Sequence, residues 1–262
     1  MVRSVQQIGA HRLDTWQLRV RPYRYHEHRS AHAREIRRRL SWVEFLSPLS
    51  EAEMVALLRN ASFLRLEEGK ELVVAPEEHA EWMLVVVAGQ LQVYECSLRS
   101  GRELTLWVSG DGEVVCVTGL VPRWTRELHL RALETSLLCR VGREALEGAV
   151  CNNPEVGLRL ARTLANRLQL MEDRWADMVE KEVSERLAGL IYMMVESVGV
   201  MTKEGPMIPT RYTHQQLGSM VGSNREAVTR ALGDLQGRGA IEVKARRLYV
   251  SDLDALRRSA GE

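Results

Sequence analysis

A stretch near the C-terminus has the side chains and spacing of a DNA-reading element. It reads THQQLGSMVGSNREAVTRAL over residues 213–232. Thr213 can cap a short first helix, and Gly222 permits the left-handed backbone that a tight helix-to-helix turn needs. A second helix then runs from about Asn224 to Gln236. The pattern predicts a helix-turn-helix.

The predicted second helix has an apolar face and a polar face. At about 100° per residue, Arg225, Glu226, Thr229 and Arg230 share the polar face near the N-terminal end. Arg can donate two hydrogen bonds to guanine, and Glu can accept one from cytosine. The predicted DNA-binding residues are Thr213, Ser223, Asn224, Arg225, Glu226, Thr229 and Arg230. The alternative is an ordinary helical pair in which Glu226 and Arg230 form an i,i+4 ion pair.

Two short apolar runs follow this helix. Ile241–Val243 and Leu248–Val250 flank the basic stretch Lys244–Arg247. This pattern predicts a β-hairpin wing whose basic tip contacts phosphate.

A long run without Gly or Pro, Leu158–Ala188, predicts one long helix, with Asn153 as its N-cap and Pro154 as its first residue. An apolar seam at heptad spacing predicts a parallel homodimer. Its interface residues are Ala161, Leu164, Leu168, Met171, Trp175 and Met178. The alternative is a helix that packs only on its own domain. A second apolar stripe lets one face contact the domain and the other a second copy; its residues are Leu158, Leu160, Ala165 and Leu170.

Short apolar runs separated by glycine turns fill the region from Ser62 to Val141. Such runs indicate an antiparallel barrel or jelly roll. The predicted strands are Phe63–Leu66, Glu71–Val74, Met83–Val87, Leu91–Tyr94, Leu104–Val108, Val114–Val117, Leu128–Leu133 and Leu137–Val141. The expected fold class is α+β. We expect a basic, poorly ordered tail over 1–39, a β-roll over 40–152, a dimer helix and hinge over 153–197, and a winged helix-turn-helix over 198–262.

Charge is unevenly distributed along the 262 residues. Residues 1–40 have a formal charge of +7, residues 41–180 of −8 and residues 181–262 of +2. The basic ends favour contact with nucleic acid. For the N-terminal tail, three interpretations stay open: a poorly ordered or wrongly assigned start, a basic arm that adds DNA affinity, or an Arg-rich targeting peptide.

Several other classes of protein lack support in the sequence. The longest apolar run, Trp82–Ala88, is too short to span a membrane, and no secretory signal is present, so a cytoplasmic location is expected. The cysteines form no CxxC pair, so no metal site or cofactor is expected and reduced thiols are the default; they are Cys96, Cys116, Cys139 and Cys151. No hydrolase, nucleotide-loop or zinc-protease motif occurs, so we expect no enzyme.

The predicted chain combines a jelly roll, a long dimer helix and a winged helix-turn-helix. In this order of elements it resembles the Crp/Fnr family of bacterial transcription regulators, and the resemblance covers about Leu40 to Val250. Barrel-turn glycines fall where that family has them, at Gly69, Gly89, Gly101, Gly112 and Gly119. The resemblance implies that Arg225, Glu226 and Arg230 read a half-site like TGTGA, with two half-sites about one helical turn apart. It also implies RNA polymerase as a partner.

The resemblance leaves the effector open. Cys116-Val117 and Arg126-Glu127 stand where the cyclic-AMP branch has Gly-Glu and Arg-Ser, which disfavours cyclic AMP. Arg126, Arg167 and Glu172 are similar to charged positions of the 2-oxoglutarate-sensing branch, so a dicarboxylate is one possible effector. Haem is disfavoured because Thr118 replaces the family's His. Operation without a ligand also stays open.

The sequence thus predicts a homodimeric, sequence-specific DNA-binding regulator of transcription that binds a palindromic operator in double-stranded DNA. The alternative is a cyclic-nucleotide or small-ligand sensor module without specific DNA readout. The outward face that carries Arg225, Glu226 and Arg230 disfavours that alternative, since a plain sensor has no need of it.

Overall fold

The computed structural model describes residues 31–74, 82–97, 99–116 and 127–261. Antiparallel strands make up its N-terminal unit, which we call the β-roll. They are β1 (Ser62–Leu66), β2 (Glu71–Val74), β3 (Trp82–Ala88), β4 (Leu91–Cys96), β5 (Glu103–Ser109), β6 (Val114–Cys116), β7 (Leu128–Ala132) and β8 (Ser136–Gly142). Two four-stranded sheets result, in the orders β1-β8-β3-β6 and β2-β7-β4-β5. The predicted antiparallel β-roll and the α+β class are confirmed.

The glycine turns explain why the predicted strand bounds fall within two residues of the observed ones. Gly89, between β3 and β4, has a φ of +104°. A Cβ atom there would lie 2.3 Å from Ser136 Oγ, so only glycine fits this close approach. Leu84, Val86 and Leu138 of one sheet pack with Leu91 and Leu130 of the other in a shared core.

Three helices cover the outside of the β1-β8-β3-β6 sheet: α1 (Ala31–Leu40), α2 (Glu51–Leu58) and α3 (Arg143–Asn152). Ile36 and Leu40 of α1 are buried in this layer. The predicted poorly ordered tail over residues 1–39 is therefore wrong from Ala31 onward, because two apolar residues one turn apart suffice to dock an Arg-rich helix. The rest of the predicted tail lies outside the described residues.

The long helix α4 spans Pro154–Glu180, about 40 Å at 1.5 Å per residue. Pro154 opens the helix as predicted, but Asn153 makes no side-chain cap. Its Nδ2 donates instead to the Pro48 carbonyl at 3.2 Å. Two residues, Lys181 and Glu182, separate α4 from α5 (Val183–Val198), so the predicted continuous run to Ala188 is broken there.

The C-terminal unit, which we call the DNA-binding unit, packs on α5. It contains β9 (Val200–Thr202), β10 (Gly205–Met207), α6 (His214–Met220), α7 (Arg225–Gly237), β11 (Ile241–Lys244), β12 (Arg247–Val250) and α8 (Leu253–Ser259). Its strands form one sheet in the order β11-β12-β10-β9. No described helix is long and apolar enough to cross a membrane.

Buried polar side chains join the DNA-binding unit to the β-roll. Ser219 Oγ of α6 lies 2.7 Å from Thr105 Oγ1 and accepts from Gln92 Nε2 at 3.2 Å. Gln90 Oε1 accepts from the hydroxyls of Thr210 and Tyr212 at 3.0 and 3.1 Å. These bonds hold α6 against the β4–β5 edge of the roll.

Candidate DNA-binding surface and dimer seam

The helix-turn-helix is closed by capping and by a glycine turn. Thr213 accepts from the Gln216 backbone N–H, and the Gln216 side chain accepts from the Thr213 backbone N–H, which starts α6 with a capping box. Gly222 has a φ of +66°, the left-handed conformation that the sequence requires of it. A Cβ atom on Gly218 would lie 3.0 Å from the Ser223 carbonyl, so the turn passes closely over α6.

Helix α7 turns its apolar face inward and its polar face outward. Asn224 caps it by accepting from the Ala227 N–H at 2.8 Å. Val228, Ala231, Leu232 and Leu235 are buried. The opposite face consists of the exposed residues Arg225, Glu226, Thr229 and Arg230.

The three charged side chains of α7's outer face are available for contacts outside the protein. Among the described residues, none of Arg225, Glu226 and Arg230 forms an ion pair, so the alternative i,i+4 pair is absent. Arg225 and Glu226 project from the first turn, where side chains of a recognition helix reach base edges. The face therefore offers two guanidinium groups and a carboxylate acceptor.

His214 is a site residue that the sequence interpretation missed. Its Nδ1 lies 2.8 Å from Thr229 Oγ1, and that hydroxyl donates to the Arg225 carbonyl at 2.8 Å. Because the single hydroxyl hydrogen is already used, we assign the donor to His214 Nδ1. His214 thereby ties the start of α6 to the outer face of α7. Its position directly after the capping Thr213 was the only available signal.

The predicted wing is present as the β11–β12 hairpin. Its turn residues Ala245 and Arg246 have φ values of 49° and 64°, as in the mirror-image turns that suit tight hairpins. A groove of about 500 Å³ lies between the wing and the two helices, with Thr213, His214, Arg225 and Arg246 on its walls. Basic groups from three elements therefore line one groove.

An exposed apolar seam runs along α4 on the side away from the β-roll. Leu168 and Trp175 are 57% and 69% exposed, and Val179 is 87% exposed. The seam has heptad spacing and consists of Leu158, Ala161, Ala165, Leu168, Glu172, Trp175 and Val179. Large apolar side chains in such a row mark a surface for association.

The predicted dimer residues lie on more than one side of α4. Ala161, Leu168 and Trp175 lie in the exposed row. Leu164 packs against the helical layer of the β-roll, and Met171 lines the cleft between the β-roll, α4 and α5. Met178 lies close to Gly222, where a Cβ atom would lie 2.9 Å from its Cε, yet 41% of Met178 is exposed. Which of these residues contact a second copy stays a prediction.

Of the predicted effector residues, Arg167 and Glu172 point to different sides of α4. Arg126 lies outside the described residues. The guanidinium of Arg167 donates to the carbonyls of Val114 and Val115 and stacks over Trp107, with Cζ 4.9 Å from the ring centre. Burial lowers the pKa of Arg167. Glu172 is exposed and points about 140° away around the helix.

The described cysteines and titratable groups form no metal centre. Cys96 and Cys151 are exposed, Cys116 and Cys139 are buried, and none of the four forms a disulfide among the described residues. Within the described ranges, no cluster of His, Cys, Asp and Glu could hold a metal ion.

Fold and surface together define a class: DNA-binding proteins in which a winged helix-turn-helix follows a β-roll. A model of the Crp-like helix-turn-helix domain matches residues 185–259. The resemblance to the Crp/Fnr family is confirmed: the chain has that family's transcription-regulator fold and a Crp-like DNA-binding domain.

Two curated relatives are named as global regulators. The chain is 24% identical over 228 residues to a CRP-like cAMP-activated global transcriptional regulator of Mycobacterium tuberculosis, covering 86% of this chain and 99% of the relative. It is 27% identical over 197 residues to the global nitrogen regulator of Synechococcus elongatus, covering 73% and 86%. The solved structure of FixK2 from Bradyrhizobium japonicum matches with a TM-score of 0.65 at 24% identity, covering 76% and 96%.

Proposed function

We propose that the protein is a homodimeric regulator that reads a TGTGA-like palindrome through α7. The observation that carries the proposal is the outer face of α7, where Arg225, Glu226 and Arg230 are exposed and without ion-pair partners among the described residues. Ser223, Asn224 and Thr213 would hold the turn and the backbone contacts. Arg246 of the wing adds a cationic group for phosphate, and His214 holds Thr229 in place on the outer face of α7.

Pairing through α4 supports the palindrome. Two copies joined along the exposed seam would be related by a two-fold axis, which matches an operator with two inverted half-sites. Docking of each DNA-binding unit on its β-roll through Ser219 would set the spacing of the two α7 helices. RNA polymerase is the further partner that we propose, as the family resemblance implies.

Specific binding is tested by fluorescence anisotropy on a TGTGA…TCACA duplex and a scrambled duplex across a salt series. Arg225→Ala should cost about 1–3 kcal/mol of affinity and relax specificity at one base pair, because it removes a guanine contact. Arg238→Ala is the matched control. It removes an exposed Arg about 20 Å along the same helix and should leave discrimination unchanged.

Equal binding of both duplexes by the wild-type protein would instead favour the second candidate, a sensor module without specific readout. Unchanged discrimination by Arg225→Ala would show that α7 is not the reading element.

For the effector, we propose a small dicarboxylate such as 2-oxoglutarate at Arg126 and Arg167, with control by protein level alone as the alternative. The ligand would take the place of the Val114 and Val115 carbonyls at the Arg167 guanidinium. A nitrogen regulator and a cAMP-activated regulator both occur among the relatives. Val117 and Glu127 argue against cyclic AMP. Val117 replaces the Glu that would hold the ribose, and Glu127 replaces a Ser and would repel the phosphate. The anisotropy series is repeated with 2-oxoglutarate, with cyclic AMP and with no ligand. The condition that gives specific binding distinguishes control by a dicarboxylate, control by cyclic AMP and operation without a ligand.

A further inference from the structure

Helix α4 ends beside the turn of the helix-turn-helix, and one arginine lies between them. Arg186 is near the start of α5 and is half-buried. Its Nη1 donates to the Lys181 carbonyl at 2.5 Å, and its Nε donates to the Val221 carbonyl at 3.0 Å. Lys181 directly follows the last residue of α4, and Val221 directly follows that of α6. The guanidinium therefore joins the C-terminal ends of two helices.

Both of these carbonyls need a donor from outside their own helix. The last carbonyls of a helix have no partner within it and carry a partial negative charge. Among the described residues, neither the Lys181 nor the Val221 carbonyl accepts a backbone N–H, and Arg186 forms no ion pair. A guanidinium suits the task because its N–H groups point in several fixed directions. Its charge is thus directed at the two helix ends.

A methionine makes a second contact between α4 and the turn. Met178 is in the last turn of α4, and its Cε would lie 2.9 Å from a Cβ atom on Gly222. Asn224, two residues after Gly222, caps α7 by accepting from the Ala227 N–H. The path from the end of α4 to the start of α7 therefore runs through Arg186 and the few residues of the turn.

The connection between α4 and the DNA-binding unit is short and extended, so it is the natural pivot of that unit. Lys181 and Glu182 form the connection, and both have extended backbone. Helix α5 moves with the DNA-binding unit, because Leu187 of α5 shares a buried core with Leu232 of α7. A rotation at the connection would carry the whole unit with it, and Arg186 bonds across the connection.

We propose that Arg186 is a positioning residue that, together with the Ser219 joint, sets the distance between the two half-sites of the operator. The inference rests on the proposed function, since it needs two copies paired through α4. The two-fold axis would then run along the paired helices, so a rotation of each DNA-binding unit on α4 would move the two α7 helices apart or together. Arg186 itself would touch no base.

The distance between half-sites is a property separate from their sequence. One extra base pair moves a half-site by about 3.4 Å and turns it by about 34° around the DNA axis. A rigid dimer loses affinity when base pairs are added or removed, because the DNA must twist or bend to restore the register. A dimer without the Arg186 bonds would take up the change in its own pivot.

Fluorescence anisotropy on TGTGA…TCACA duplexes of different spacer length measures this preference. We expect the wild type to bind the best spacer at least about tenfold more tightly than one two base pairs longer. Arg186→Gln should lower this ratio to about threefold or less, and should bind a duplex with a single half-site as the wild type does. Arg258→Gln removes an exposed arginine of α8 and is the matched control, which should keep the wild-type ratio.

A second variant, Arg186→Lys, keeps the test decisive if Arg186→Gln folds poorly. Lysine retains the charge but offers a point donor in place of the planar fork, so its spacing ratio should also fall below that of the wild type. A wild-type ratio in the folded Arg186 variants would overturn the proposal. An equal loss of affinity on every duplex, the single half-site included, would do so too, because it indicates a merely structural role.

Failure of the proposed function gives a different result. The wild type would then bind TGTGA duplexes and a scrambled duplex equally, which would refute specific readout and this inference with it. Discrimination against the scrambled duplex, combined with an unchanged spacing ratio in the Arg186 variants, would refute the role of Arg186 alone.

Discussion

At the scale of single residues, the outer face of α7 depends on the residues of the turn that precedes it. Asn224 satisfies the first turn of the helix, which leaves Arg225 and Glu226 free to project outward. Gly222 supplies a backbone conformation that other residues adopt only at a cost. The position of the reading side chains is thus set by one cap and one glycine.

Gly222→Ala should lower the free energy of unfolding by about 1–2 kcal/mol, because a Cβ atom at φ +66° is strained and meets Met178. Urea unfolding followed by circular dichroism measures the loss. Gly233→Ala is the control, since Gly233 lies inside α7 with no atom near its Cβ position. It should raise stability by about 0.5–1 kcal/mol. A similar change in both variants would contradict this account of the turn.

A second residue-scale feature is the cluster around Arg131 on the β-roll. Its guanidinium donates to both carboxylate oxygens of Glu103 at 2.7 Å and to Glu71. The hydrogen bonds from Arg131 hold the pKa of Glu103 below its ordinary value of 4.5. Ionised Glu103 therefore stabilises the fold above that value, and the stabilisation is lost as the pH falls through the folded-state pKa.

The urea midpoint of the wild type should accordingly fall as the pH is lowered from about 4.5 toward 3. In Glu103→Gln the fall should be shallower, because the titrating carboxylate is gone. Glu144→Gln removes an exposed carboxylate of α3 and should keep the steep wild-type profile. Parallel pH profiles for Glu103→Gln and the wild type would rule out this role for Glu103.

At the scale of elements, the strands were predictable and parts of the helices were not. Strand β5 (Glu103–Ser109), for example, is a short run with Gly101 before it and Gly110 after it, so composition alone bounds it. Helix α1 is amphipathic, with Ile36 and Leu40 buried, but it is rich in arginine and has a low mean hydropathy, so its sequence favours the interpretation as part of a basic tail. Strands β9 and β10 have three residues each, too few for any pattern to stand out.

Helix α4 shows that one heptad pattern can fit more than one row of residues. The predicted row and the exposed row share Ala161, Leu168 and Trp175, and their other members differ by one position. The sequence cannot tell which row the β-roll will cover. The structure places Leu164 on the core and Leu168 outside.

Leu168→Glu should prevent pairing, because it puts charge at the centre of the exposed seam. Light scattering coupled to gel filtration should then report the mass of one chain, 29.8 kDa, where the wild type gives twice that value. Leu170→Glu is the matched control. Leu170 is equally exposed, at 56%, but points about 160° away from Leu168. Loss of pairing in both variants, or in neither, would contradict the assigned seam.

At the scale of the whole molecule, polar contacts between the two units lay beyond sequence analysis. Gln92, Thr105 and Ser219 are at most 5% exposed, yet Gln92 and Ser219 are 127 positions apart in the chain. No local pattern marks such a set, because each residue alone is an ordinary polar side chain. Buried and bonded to one another, they fix how the two units are oriented.

Ser219→Ala should weaken the joint between the units and lower the free energy of unfolding by about 1–3 kcal/mol, because Thr105 and Gln92 lose a buried partner. Calorimetry should show the transition of the DNA-binding unit separating from that of the β-roll. Ser197→Ala removes an exposed hydroxyl that bonds only its own helix, and should leave the transition unchanged. A wild-type transition in Ser219→Ala would show that the joint does not depend on this hydroxyl.

Glu172 interrupts the apolar seam, and this bears on how the amount of protein in a cell sets its output. In a symmetric parallel pair each Glu172 would face its own copy, and the two carboxylates would repel. The dimer is then less stable than a dimer formed through an unbroken apolar row. Since an operator needs both copies, its occupancy at low abundance would rise with the square of the number of chains. A modest change in synthesis rate would then suffice to turn a target gene on or off.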